Sequence, residues 1–492
     1  MQPHVIIRPK RSGKGGGGGG TGGGSWTDPD LQTASFTTTF TTGSVFQGQG
    51  FTGAIPPDPN LSVGVDPHGN TQVVQVVNTS VAVYSTSGSG LVAADLLGLF
   101  SSLPTSNCYL NGDGGDVIVR WDQLDSRWII SQLAYNSTFT QNDFCLAIST
   151  SADATGPYDV YDFSFGGSIP DYPKLAVWGD GIYFSANMFQ ITVNQRTGGV
   201  RSKFLGAQAC SFPRTSISTP PVALTCSGTG NTAIYNILPA DLDGANQPPG
   251  AGDYYMQFVD NLSTTSGNEL TLYQFQNGKL VALGNLTVGT FHEACGGVAC
   301  VPQLGTSEQL DSLGDRLMYR LSYRNYGGYQ QMVVNHSVQV SSTSNQTGIR
   351  WYRLRNQSGA VPFYVYSEST FSPDTTTYRW MGSIAQDAVG DLGMGYSTSG
   401  SSNYPRVAVT GLVGTDGGME VEAPIYKGLN FQDTYNRWGD YSSMAIDPKD
   451  DCTFWYTTEY STQTNVLGSF NFFWGTVIGS FHFPSPNCAA NP

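Results

Sequence analysis

One unit recurs along this chain and limits what it can fold into. A strand of small residues is entered from Asp or Gly, closes on a tight polar turn, and is followed by a bulkier strand. The clearest copy runs Asn436-Arg437-Trp438-Gly439-Asp440-Tyr441-Ser442-Ser443-Met444-Ala445-Ile446-Asp447-Pro448 and continues through Asp451-Cys452-Thr453-Phe454-Trp455-Tyr456. Looser copies start at Pro57-Asp58-Pro59, Gly115-Asp116, Asp171-Tyr172-Pro173-Lys174, Gly252-Asp253-Tyr254, Asp311 to Arg316, and Gln386-Asp387. The leading aspartates stand roughly 50–80 residues apart, the length that a four-stranded blade and its connections occupy.

Composition agrees with strands. Charged residues are 12% of the chain and aromatics another 12%, with 61 glycines. That excludes Lys-rich helical faces and favours β-branched and aromatic strands with Gly-rich turns. Only Val92 to Phe100 offers a short helical pattern. The fold class read from this is all-β: a single β-propeller, seven-bladed, with four-stranded antiparallel blades. Small residues suit inner strands, which crowd near a propeller axis. Ile478 to Phe483 reads as the terminal strand. A strand near Phe36 or Phe46 is expected to join that last blade and so hide its edge.

Residues 1–34 read as a separate basic, Gly-rich flexible arm, with Arg8, Lys10, Arg11 and Lys14 ahead of the Gly15 to Gly24 tract. Residues 35–492 form the propeller domain. The eight cysteines include no Cys-x-x-Cys pair, so disulfides fit better than metal ligation. Neighbours in sequence are the simplest partners: Cys108 with Cys145, Cys210 with Cys226, Cys295 with Cys300, and Cys452 with Cys488. Asn-x-Ser/Thr sequons stand at Asn60, Asn78, Asn136, Asn261, Asn285, Asn335, Asn345 and Asn356. Disulfides point to a secreted or surface-exposed protein, with a glycoprotein as the accompanying expectation, although a Ser/Thr-rich chain gives several sequons by chance and no export signal is visible in this numbering. No apolar run is long enough to span a membrane. The net charge of −14 excludes a nucleic-acid partner, which requires a basic footprint.

The Asn436 to Ser443 stretch with Asp451 to Tyr456, and Leu310-Asp311-Ser312-Leu313-Gly314-Asp315-Arg316-Leu317-Met318-Tyr319-Arg320, resemble signatures of secreted, largely uncharacterised bacterial propeller-like proteins. Gly115 to Ser131 and Asp171 to Lys174 look like the same family. The resemblance covers roughly residues 50–485 and implies an extracellular propeller with no settled activity. A looser resemblance is to sialidase-type propellers. Ser151-Ala152-Asp153-Ala154-Thr155-Gly156-Pro157-Tyr158 is similar to their Asp-box, with an extra residue before Gly and no Thr-Trp.

In a propeller the blade entries meet at one channel mouth. The expected ligand-binding residues are therefore Asp58, Asp171, Tyr172, Lys174, Asp253, Arg316, Arg437, Trp438, Asp440 and Tyr441. Asp116 and Asp440 are the catalytic candidates, and Asp311 and Asp387 the metal candidates. Carboxylates beside Arg, Trp and Tyr suit a glycan or cell-surface ligand, and a pair at suitable separation would hydrolyse a glycoside. Clustered carboxylates also point to Ca2+ as the one cofactor. The competing reading is that each Asp only caps its own turn. Arg350-Trp351-Tyr352-Arg353 reads as an outer strand with one basic and one aromatic face. His-Glu-x-x-His and Gly-x-Ser-x-Gly are absent. Three functions follow: a glycan-binding propeller, a glycoside hydrolase or lyase on the same mouth, or a surface, filament or virion subunit that self-associates through its arm.

Overall fold

The computed structural model describes residues 25–193, 199–214, 224–260, 268–357, 362–414, 417–462, 473–484 and 488. Its strands fall into antiparallel quartets, numbered here by their inner strands. The first four inner strands are Asn60–Val65, Ile118–Asp122, Ser168–Trp178 and Leu238–Asp243. Met318–Asn325, Tyr378–Gln386 and Ser443–Ile446 are the inner strands of quartets five to seven. Each is followed outward by three more strands. Quartets four and five are joined into one sheet, because Ala240 to Asp243 pair in parallel with Leu321 to Arg324. Inner strands contact one another in chain order, and the seventh returns to the first. The protein is an all-β propeller.

Ring closure uses the chain's front end. The seventh quartet takes Thr41–Gly50 as its outermost strand, antiparallel to Trp474–His482. Phe46 lies in that strand, where it packs near Trp455 and Tyr84. Phe36 instead makes a parallel bridge to Glu420 on quartet six. Residues 25–34, counted above with the arm, are in place on quartet five. Leu31–Gln32 adds in parallel to Tyr364–Phe371, Trp26 stacks on His292 at 3.6 Å, and Asp28 pairs with the buried Arg350 at 2.6 Å. Residues 1–24 lie outside the described residues.

Apolar side chains fill the layers between neighbouring quartets. Glycines allow the closest approaches: Trp121 and Trp128 of quartet two seat over Gly64 of quartet one. The channel itself holds a buried ion cluster. Arg120 and Arg320 both reach Asp241 at 2.7 Å, and Arg320 also meets Asp243. Such a cluster is stable only while each charge keeps its partner.

Four expectations need correction. The fourth inner strand is Leu-Pro-Ala-Asp-Leu-Asp at residues 238–243, and Asp253 precedes the second strand, Tyr254–Val259. Two Asp and a Pro disguise that inner strand as a loop. Asp387 follows its inner strand instead of entering it. The Arg350 to Arg353 run gives no basic face. Period two puts Arg350 with Tyr352 on one side and Trp351 with Arg353 on the other. Within Val92 to Phe100 only Leu96–Leu99 is helical, capped by Asp95, which accepts from Leu97 N at 2.9 Å.

The disulfides join Cys108 with Cys145, Cys210 with Cys226, Cys295 with Cys300, and Cys452 with Cys488. The Ser151 to Tyr158 segment is a turn between two strands of quartet two. Asp153 there accepts from Thr155 N and Gln72 Nε2, each at 2.9 Å. Among the described residues no helix is long and apolar enough to cross a membrane.

Candidate functional site

The inner strands begin in a repeated backbone feature. Asp58, Asp116, Tyr172, Asn236 and Met381 all have left-handed φ, between 48° and 55°. Each stands two residues before a ladder register begins, at Asn60, Ile118 and Leu238, or resumes after an irregularity inside the strand, at Lys174 and Ser383. Asp and Asn tolerate this conformation through local hydrogen bonds; Tyr and Met hold it against a steric cost. Backbone strain of this kind tends to serve a site.

There quartets seven, one, two and three are laced together. Asp58 Oδ1 accepts from Asp440 N at 2.7 Å, and its Oδ2 accepts from Asn78 Nδ2 at 2.8 Å. Asn78 Oδ1 accepts from Asp116 N at 3.0 Å, and Asp116 Oδ2 accepts from Tyr172 N at 2.8 Å. The Tyr172 hydroxyl donates back to Asp440 O at 3.4 Å. Asp58, Asp116 and Asp440 each offer an oxygen within 4.8 Å of the others.

Cations face this group. Lys174 is fully buried. Its Nζ donates to Pro173 O at 2.8 Å and lies 3.3 Å from the Tyr172 ring centroid and 4.3 Å from that of Tyr441. Arg316 stacks on Tyr172 at 4.4 Å while paired with Asp315 at 2.9 Å. Arg437 pairs with Asp440. Burial first, then Asp440 and Asp116, hold the Asp58 carboxyl well above the carboxylate range. Asp171 is raised in the same way by burial, Asp116 and Asp440. Burial brings Lys174 down to about 8, against the pull of the surrounding carboxylates. The site thus sets carboxyl groups of raised proton affinity against buried cations and phenol rings.

Other expected residues lie elsewhere. Trp438 is buried, donating to Ser397 Oγ at 3.0 Å and packing on Trp380. Asp253 is buried beside Asp241 and Asp180, where desolvation raises it. Asp311 accepts from Leu313 N at 3.0 Å, and its own N–H donates to Asn436 O, so it braces the loop that carries Arg437. Asp387 caps the turn after its strand through Val389, Gly390 and Asp391 N–H groups. Asp311 and Asp387 therefore do not meet.

Nor do the gathered carboxylates make a Ca2+ cage. A calcium ion takes six to eight oxygens. Here both Asp58 oxygens already accept N–H groups, Arg437 engages Asp440, and an ammonium supplies the positive charge. Sequence reading missed Asn78, which links two of the aspartates, and Glu459, which accepts from Gly439 N beneath the loop. Asn78 was visible only as a sequon; nothing marked Glu459.

No protein-family model matches the chain, and no curated protein matches it. Solved structures with a similar trace include a fungal alcohol oxidase of the AA5 family in complex with copper. It has 10% identity and a TM-score of 0.41, covering 92% of this chain and 79% of that one. The GH93 α-L-arabinofuranosidase of Fusarium graminearum with arabinobiose has 7% identity and a TM-score of 0.34, covering 92% and 97%. A levansucrase mutant of B. megaterium has 9% identity and a TM-score of 0.35, covering 76% and 86%. Likenesses this distant say nothing of what this chain acts on.

Proposed function

We propose that the protein is an extracellular carbohydrate-binding propeller whose ligand sits at the mouth formed by Asp58, Asp116, Asp171 and Asp440. The supporting observation is the convergence there of carboxylate oxygens, one each from Asp58, Asp116 and Asp440 within 4.8 Å of one another, beside the Arg437 guanidinium. A polyol offers closely spaced donors and acceptors. Carboxylate oxygens accept from its hydroxyls, and the Arg437 guanidinium donates to its oxygens. Four disulfides suit an oxidising, extracellular setting, as does the likeness of the Asn436 to Ser443 signature to secreted bacterial propeller-like proteins. A glycan array probed with the wild type and with Asp116→Asn/Asp440→Asn tests this reading. Loss of binding by the folded variant is expected; equal binding removes the mouth as the site.

A second reading, glycoside cleavage, is favoured by one observation. Asp58, Asp116 and Asp440 offer oxygens within 4.8 Å, and burial with its acidic neighbours raises the proton affinity of Asp58. Retaining glycosidases use an acid and a nucleophile at about 5–5.5 Å. Asp58, once one of the N–H groups it accepts from gives way, would protonate the leaving oxygen as the glycosidic bond breaks, Asp116 or Asp440 would attack the anomeric carbon, and water would then release the sugar from that ester. Turnover on a polysaccharide panel that vanishes in Asp116→Asn selects this reading. Binding without turnover selects the first.

A further inference from the structure

Far along the chain from that mouth, the strand Ser344–Gln357 of quartet five carries Arg353 and Arg355 on one face. Four arginines are fully buried: Arg320, Arg350, Arg353 and Arg379. Three have carboxylate partners: Arg320 with Asp241, Arg350 with Asp28, and Arg379 with Asp374 and Glu422. Arg353 has none among the described residues. Its Nη1 donates to Gly414 O of quartet six at 2.9 Å, while Nε and Nη2 are buried without a hydrogen-bond partner.

Arg355 stands beside it, equally without a carboxylate among the described residues. Its guanidinium lies between Tyr366 at 3.6 Å and Tyr329 at 4.5 Å, and its Nε donates to Gln331 Oε1 at 2.7 Å. Asp391 is the carboxylate that feels Arg353, but its Oδ1 accepts from Gly414 N at 2.6 Å. Burial first, and then Arg355, bring Arg353 down to about 10. Two adjacent guanidiniums, one with idle buried donors, are costly in a chain of net charge −14 unless something supplies negative charge. The outer strand opens the place to solvent, since Tyr366 is 36% exposed and its neighbour Tyr364 44%.

We propose that the seam between quartets five and six binds an oxyanion through Arg353 and Arg355, with Tyr366 bordering the ligand. Guanidinium groups recognise carboxylate, sulfate and phosphate oxygens in the same bidentate geometry. An exposed tyrosine beside them suits an anion carried on a sugar ring.

Isothermal titration of the full chain tests this with three probes: sodium sulfate, a galacturonate trisaccharide and the neutral maltotriose. At least one anionic probe binds, and its affinity falls as salt is raised. Arg353→Met and Arg355→Gln each weaken that binding by about tenfold or more, the loss expected for one charge-assisted hydrogen bond. Maltotriose binding is the same in wild type and variants. Arg355→Gln changes a half-buried side chain and keeps the measurement valid should Arg353→Met fail to fold. Binding of sulfate and galacturonate alike assigns a general oxyanion site; binding of galacturonate alone assigns an acidic sugar. The proposal is overturned if neither anion binds the wild type, or if Arg355→Gln binds them equally well.

Discussion

At the scale of single residues, Lys174 shows how the mouth tolerates its charge. Its ammonium is spent on two aromatic faces and one carbonyl, with Asp116, Asp440 and Asp58 as its electrostatic counterweights. Lys174→Met removes one of the three cations that face those acids, beside Arg316 and Arg437, and strands a buried carbonyl, a loss of about 1–3 kcal/mol. The loss depends on pH in a definite direction. At low pH the acids take up protons and need no cation, so the variant's deficit is smaller at pH 5 than at pH 8. Thermal melts at both values check this, and an equal deficit contradicts it. Burial also sorts the sequons. Asn60, Asn78, Asn335 and Asn356 are buried, Asn136 is half-buried in its turn, and Asn285 and Asn345 are exposed. Glycopeptide mass spectrometry of protein made through a secretory pathway should find sugar at Asn136, Asn285 or Asn345 and at none of the buried four. Asn261 lies outside the described residues.

At the scale of elements, the quartets stack because small residues face large ones. A Cβ at Gly395, on the second strand of quartet six, would strike the Tyr456 ring of quartet seven, and Gly393 meets Phe454 in the same way. Gly395→Ala is therefore expected to cost about 1–3 kcal/mol, read from urea denaturation. Beneath the Asp440 loop, burial raises Glu459 to about 7, and on the neighbouring turns Asp387 is raised to about 7 and Asp447 to about 6. In each case the folded state keeps a proton that the unfolded state has released. Stability therefore falls as pH rises from the ordinary carboxylate range to about 7. Glu459→Gln removes one such group and flattens that slope; an unchanged slope shows that Glu459 is already ionised. These elements were unevenly legible. Ser443–Ile446 and Phe454–Ser461 stood out because small and aromatic residues alternate with clear turns. Leu238–Asp243 did not, since its Asp241 and Asp243 are strand residues only because Arg120 and Arg320 meet them in the channel.

At the scale of the whole molecule, the front of the chain holds the ring shut. Asp28 pairs with Arg350 on quartet five, Thr39 N donates to Glu420 on quartet six at 2.7 Å, and Thr41–Gly50 completes quartet seven. Removing residues 1–50 exposes the Trp474–His482 edge and should abolish a single cooperative melt. Removing residues 1–24 should leave the melting temperature unchanged. Light scattering on that shorter deletion also tests assembly through the arm, because an unaltered mass eliminates it. The chain's own order of residues was enough to determine its class: short strands, Gly-rich turns and a recurring unit leave an all-β wheel as the economical way to bury aromatic surface. It also marked Asp58, Asp116, Asp171 and Asp440 as strand-entry acids, since an Asp before a small-residue strand is a local signal. Which aspartates became neighbours was decided only in three dimensions. Asp253 and Asp387 carry the same local signal and sit apart from the mouth, Trp438 is core, and Asn78 ties the cluster together. Proximity, burial and the resulting protonation states depend on how distant segments pack around an axis, and no local stretch of chain encodes that geometry by itself.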